Sequence, residues 1–214
     1  MKKIIILDFD GTIADTAPVI INTFHRVFDA MNIQQHTDKE IASTIGLPLI
    51  EAFPILSPMT EDTAAKCTQL YRKIFEEVNH KLGVQMFPHV AATLRQLHFM
   101  GYILTIATSR GYESVSAFIK SFGLENIITY IVAAENVTHA KPNAEPVITT
   151  LNHFSLIPSD AVVVGDTHFD ILMGCNAGCS TVGVTYGNGL RESLIDAGAD
   201  AIIDDFSDLL SILS

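Results

Sequence analysis

The chain has 214 residues, 48% hydrophobic and 17% charged, with a net charge of −11 when the histidines are neutral. That suits one domain, or one domain with an inserted module, around a sizeable core. The acidic balance argues against a nucleic-acid backbone as main partner, which would need clustered Lys and Arg, and no apolar run reaches the ~18 residues of a membrane span.

The first predicted element is the apolar strand Ile4-Ile5-Ile6-Leu7, and the octapeptide at residues 8–15 (Asp-Phe-Asp-Gly-Thr-Ile-Ala-Asp) follows it directly. The apolar run is too short for the core of a signal peptide, so a cytoplasmic protein is expected. Residues 16–84 contain no convincing strand. Val19, Ile20, Thr23, Phe24, Val27, Phe28 and Met31 follow a helical period over 18–31. Thr16 stands at the N-cap position, and Pro18 is tolerated in a first turn. Further helices are expected at 38–45, 48–56 and 60–80, broken by Gly46-Leu47-Pro48 and Ser57-Pro58.

From residue 86 the pattern changes. Helices at 88–100, 111–121, 144–153, 168–177, 190–197 and 206–213 alternate with apolar strands at 102–107, 128–133, 161–164, 181–184 and 201–203. Continuous apolar strands separated by helices indicate a parallel sheet covered on both faces. The economical reading is an α/β core of residues 1–15 and 85–214, with an all-helical module of residues 16–84 inserted after the first strand. Neither repeats nor low-complexity segments interrupt this pattern.

The chemistry gathers at strand ends, where open parallel sheets bind their ligands. Asp8 and Asp10, one residue apart on an extended segment, point the same way, and Gly11 frees the backbone to turn away. Two acids so close repel unless a cation lies between them. Thr108 and Ser109 end strand 102–107, Lys141-Pro142 follows strand 128–133, and Gly165-Asp166 ends strand 161–164 with Asp170 four residues on. Each has a plainer explanation alone. Thr108 and Ser109 could cap a helix, Lys141 could be a solvated loop residue, and Asp166 and Asp170 could favour a helix N-terminus. Their joint occurrence in this order favours a single site. Asp15 is read as support for the turn, and His168 as solvent-facing. Cys67, Cys175 and Cys179, odd in number, suggest no disulfide framework; Cys175 and Cys179 are read as packed helix residues.

These four motifs resemble those of the haloacid dehalogenase superfamily of aspartate-nucleophile hydrolases, in its phosphatase branch, over essentially the whole chain. The resemblance implies a Rossmann-like core with a helical cap, and a Mg²⁺-dependent reaction. Asp8 would be the nucleophile that forms an aspartyl-phosphate, and Asp10 the general acid and then base. Carboxylates of Asp8 and Asp166 with the main-chain carbonyl of Asp10 would hold the metal. Thr108, Ser109 and Gly11 would bind the phosphoryl group, Lys141 would balance its charge, and Asp170 would orient Lys141 or a metal-bound water. An acid at position 10 favours phosphoryl transfer over carbon–halogen cleavage, since the superfamily's dehalogenases lack it.

The stretch 44–49 resembles the cap loop of phosphoglycolate phosphatases and related pyrophosphatases, with Gly46 allowing close backbone approach to the site. Thr108-Ser109-Arg110 resembles the Thr-Asn-Lys of phosphoglycolate phosphatases, with Ser109 replacing Asn. No basic residue lies between Lys39 and Lys66, unlike the cap loops of sugar-phosphate mutases. The expected substrate is a small phosphorylated metabolite, phosphoglycolate first. Inorganic pyrophosphate, nucleotides and sugar phosphates are the alternatives, and a monomer or homodimer is expected. An inactive regulatory relative is the competing class. A receiver-type signalling domain fits less well, being shorter and needing no helical insertion.

Overall fold

The computed structural model describes residues 2–213. The first strand, β1 (Ile4–Leu7), is buried throughout; β2 (Ala14–Asp15) follows it after a turn. Four helices come next: α1 (Ala17–Met31), α2 (Asp38–Ala42), α3 (Leu49–Leu56) and α4 (Glu61–Leu82). The short β3 (Gln85–Met86) pairs antiparallel with β2, so both ends of the helical segment are tied together. The chain continues as α5 (Val90–Phe99), β4 (Ile103–Ala107), α6 (Tyr112–Ser121), β5 (Ile128–Val132) and α7 (Glu145–Phe154). It ends with β6 (Ala161–Gly165), α8 (His168–Asn176), β7 (Ser180–Val184), α9 (Arg191–Asp196), β8 (Ala201–Ile203) and α10 (Leu209–Leu213).

Six strands form one parallel sheet in the order β5-β4-β1-β6-β7-β8. Side chains alternate across it. Ile5 and Leu7 enter one core with Leu94, Val115 and Phe118, whereas Ile4 and Ile6 enter another with Val147, Leu151 and Met173. Helices therefore cover both faces, which explains why β1 reads as an unbroken apolar run. The chain order reverses at β1, whose neighbours are β4 and β6. Their carboxyl ends meet there, at the switch point where this topology leaves a crevice.

Most helix limits fall within two residues of the sequence expectation, but some details differ. The helix expected over 38–45 ends at Ala42. The last helix splits into a 3₁₀ turn at Phe206–Asp208 and α10. Thr16 occupies the N-cap position of α1 without capping it; its Oγ1 is buried with no partner. Cys179 lies beyond α8 and is buried, while Cys175, on α8, is exposed, so the two do not share a packed helix face. Asp15 is exposed in β2, and His168 is half-buried with its ring against Phe169, centroids 3.9 Å apart, rather than solvent-facing. Among the described residues no helix is long and apolar enough to cross a membrane.

Candidate active site

Asp8 is the first residue past β1, and Phe9 between the two acids is driven into the core, against Phe118 at 5.5 Å and Phe122 at 6.5 Å. The extended alternation that buries Phe9 leaves Asp8 and Asp10 both lining a cavity of about 1070 Å³. Thr108, Ser109, Gly46 and Lys141 line it too.

The centre of the site is an ion-pair bridge. Buried Lys141 donates from Nζ to Asp8 Oδ1 and, at 2.7 Å, to Asp170 Oδ1. Asp170 Oδ2 accepts from the Thr167 main-chain N–H at 3.0 Å and from its hydroxyl at 2.8 Å. Asp170 thus contacts both the start of α8 and Lys141.

Asp166, wholly buried beside them, accepts on Oδ2 from the Asn188 main-chain N–H at 2.6 Å and the Asn188 Nδ2 at 3.1 Å, and on Oδ1 from the Thr12 hydroxyl at 3.3 Å. Carboxylate oxygens of Asp8, Asp166 and Asp170 lie within 4.8 Å of one another. Burial pushes the Asp8 carboxyl well above its ordinary range; Lys141 opposes this, and Asp170, Asp166 and Asp10 add to it. Asp166 is pushed up to about 7, by burial and then by Asp170. Burial alone would lower Lys141, but Asp170 and Asp8 together raise it, so its charge stays on.

Gly11 lies behind this centre instead of lining the cavity. Its φ is +91°, and a Cβ there would sit 2.1 Å from Asp166 Oδ2. Only glycine satisfies both the turn and the close approach. Gly46 has φ +102° but room for a Cβ, so its backbone conformation is the constraint. Its carbonyl accepts from the Ser109 hydroxyl at 2.6 Å. The side chain that replaces Asn in the second motif is therefore spent on the loop between α2 and α3, while the Ser109 main-chain N–H has no partner among the described residues. Thr108 Oγ1 accepts from the Arg110 main-chain N–H at 3.1 Å; it does not cap α6, whose N-cap residue is Gly111.

Sequence reasoning missed Arg110, Asn188 and Thr12. Arg110 grips Asp10 with a two-pronged contact, Nε to Oδ2 at 3.1 Å and Nη2 to Oδ1 at 2.5 Å. Its guanidinium lies over the Phe75 ring of α4 at 4.6 Å, near Phe118 and Phe9. It was adjacent to the second motif and could have been found there. Asn188 sits in a Gly-Asn-Gly turn after β7, and the strand-end rule applied to β7 would have pointed to it.

Four carboxylates here, Asp8, Asp10, Asp166 and Asp170, face two cations, Lys141 and Arg110. The surplus of carboxylates over cations and the all-oxygen donor set fit one divalent cation. The arrangement can present a carboxylate nucleophile, a second acid and a fixed cation to an anionic ligand.

The family model for haloacid dehalogenase-like hydrolases matches residues 5–184. Pyrophosphatase PpaX of Bacillus pumilus is 34% identical, covering 98% of this chain and 95% of its own. The phosphoglycolate phosphatase of Haemophilus influenzae is 27% identical, covering 99% and 98%. A solved structure from Bacteroides fragilis, assigned to the haloacid dehalogenase-like hydrolases, superposes with a TM-score of 0.92 at 27% identity over 98% of this chain and 100% of its own. The chain belongs to the haloacid dehalogenase-like hydrolases and is an enzyme of that family, similar to members named as phosphatases.

Proposed function

We propose that this phosphatase hydrolyses a small phosphate monoester through an aspartyl-phosphate on Asp8, with Mg²⁺ as cofactor. The observation that carries the reading is Lys141 bridging Asp8 and Asp170, with Asp166 alongside, at the carboxyl end of β1. Asp8 attacks phosphorus, and the leaving oxygen departs with a proton from Asp10; Asp10 then takes a proton from the water that cleaves the acyl phosphate. Lys141, Thr108 and the unpartnered Ser109 N–H balance and hold the phosphoryl oxygens. Carboxylates of Asp8 and Asp166 and the Asp10 carbonyl would hold Mg²⁺, which when bound supplies charge that offsets repulsion between nucleophile and phosphate.

Residues 16–84 serve as a helical cap over a core of residues 1–15 and 85–214. The β2–β3 pairing at its base and the cavity residues drawn from both parts support this. A closing cap excludes water from the acyl phosphate. Phosphoglycolate is the first candidate substrate and pyrophosphate the second, each favoured by a relative's name.

Para-nitrophenyl phosphate tests the reaction class. Purified protein should release phosphate with Mg²⁺ and lose about 100-fold or more of its rate in EDTA, as expected when charge compensation is removed. Asp8→Asn, nearly equal in volume, should abolish turnover while melting remains cooperative. Substantial turnover in that variant rules out the covalent route, and no release from any small ester leaves the inactive-relative reading standing.

A further inference from the structure

Three cations line the large cavity: Lys141, Arg110 and Arg72. Lys141 is committed to Asp8 and Asp170. Arg110 is only partly spent. Its two contacts to Asp10 and one from Nη1 to the Ser114 hydroxyl, at 3.0 Å, use three of its five N–H donors. The remaining two belong to a side chain only 9% exposed and laid on an aromatic platform. Such a guanidinium is pre-organised and poorly hydrated, the condition in which a carboxylate or phosphate binds it well.

The helix that supplies this platform, α4, forms one wall of the cavity. Thr68, Tyr71, Arg72, Phe75 and Asn79 all line the cavity, at spacings that share one helix face. Arg72 is exposed and has no hydrogen-bond or ion-pair partner among the described residues. The Thr68 hydroxyl is buried, also without a partner. An unmet buried hydroxyl is unfavourable unless a ligand supplies its hydrogen bond. Glu51, Glu76, Glu113 and Glu135 also line the cavity, so an anion entering it depends on these arginines.

We propose that Arg110, assisted by Arg72, determines specificity, and that the substrate carries a second anionic group, carboxylate or phosphate, a few atoms from the phosphorus attacked. This rests on the phosphatase reading above. Phosphoglycolate and pyrophosphate, the substrates implied by the names of two relatives, share little except that second anion.

The test compares kcat/KM for phosphoglycolate with that for 2-hydroxyethyl phosphate, which replaces the carboxylate by a neutral hydroxymethyl group. Any disturbance of Asp10 acts on both alkyl esters, so their ratio isolates recognition. The wild type should favour the anionic ester by about 10-fold or more, as charge-assisted hydrogen bonds allow. Arg110→Gln should bring the ratio near one, and Arg72→Gln should lower it about threefold. Arg110→Lys keeps a cation but loses the fork; it should lose at least about threefold, and it decides the matter if the Gln variant does not fold. A wild-type ratio near one, or a ratio unchanged in the Arg110 and Arg72 variants, overturns the proposal. Absence of phosphate release from all these esters and from para-nitrophenyl phosphate overturns the phosphatase reading instead.

Discussion

Lys141 is the residue on which Asp8 and Asp170 depend. It is 3% exposed, and both its partners are buried as deeply. Removing one partner of a buried pair leaves an uncompensated charge and costs about 3–5 kcal/mol. Lys141→Met should lower stability by that order in urea unfolding without metal, and should abolish turnover because the phosphoryl group loses its fixed cation. A loss below about 1 kcal/mol, as for an exposed pair, would place the bridge in solvent. This residue also shows how far one dimension reaches. Beside Pro142 in a loop it was indistinguishable from a solvated lysine, and only its order among the motifs singled it out. Arg110 stood beside the second motif, but its fork onto an acid 100 residues earlier leaves no local pattern.

At the scale of elements, α1, α3 and α4 are held by an aromatic cluster. Phe24 lies 4.8 Å from Phe53 and 5.1 Å from Tyr71, and Phe28 lies 6.1 Å from Phe53 at a near-perpendicular angle. Phe53 is fully buried at the centre. Phe53→Ala should cost about 3–5 kcal/mol, seen as a lower urea midpoint. It should also raise KM more than it lowers kcat, since the cluster supports the α4 face of the cavity rather than the carboxylates. Helices this long were legible because the apolar residues repeat with a period near 3.6. The pairing of β2 with β3 was not, since two residues are too few to display a period and their partners lie about 70 positions apart. Thr16 had the residue type of a cap, but the turn at its position kept its side chain from the helix N–H groups.

For the molecule as a whole, crowded acids link stability to pH and to cations. A carboxyl held at about 7 when folded, against an ordinary 3.8, takes up a proton on folding between those values. That contribution to stability therefore falls as pH rises across the window. Bound cation reverses it by compensating the ionised form. Saturating Mg²⁺ should raise the melting temperature by several degrees, about 2–3 kcal/mol at 100 times the dissociation constant. The rise should be larger at pH 7.5 than at pH 5, as read by differential scanning fluorimetry at both values. An equal rise at the two values would detach Asp166 from the metal.

The sequence by itself determined the class of fold and which acids and cations stand at the strand ends. Apolar periodicity reports which faces must leave water, and residues 8–15 state that two acids share a strand end. Side-chain commitments were decided only in three dimensions. Asp8 and Asp10, one residue apart in sequence, were given different partners by the loops after β5 and β4: Lys141 took one and Arg110 the other. Ser109 was spent on Gly46, and Asn188 was brought onto Asp166. Such pairings depend on parallel strands placing distant loops at one edge, and burial then makes each charge find a partner. No local pattern encodes which partner that is.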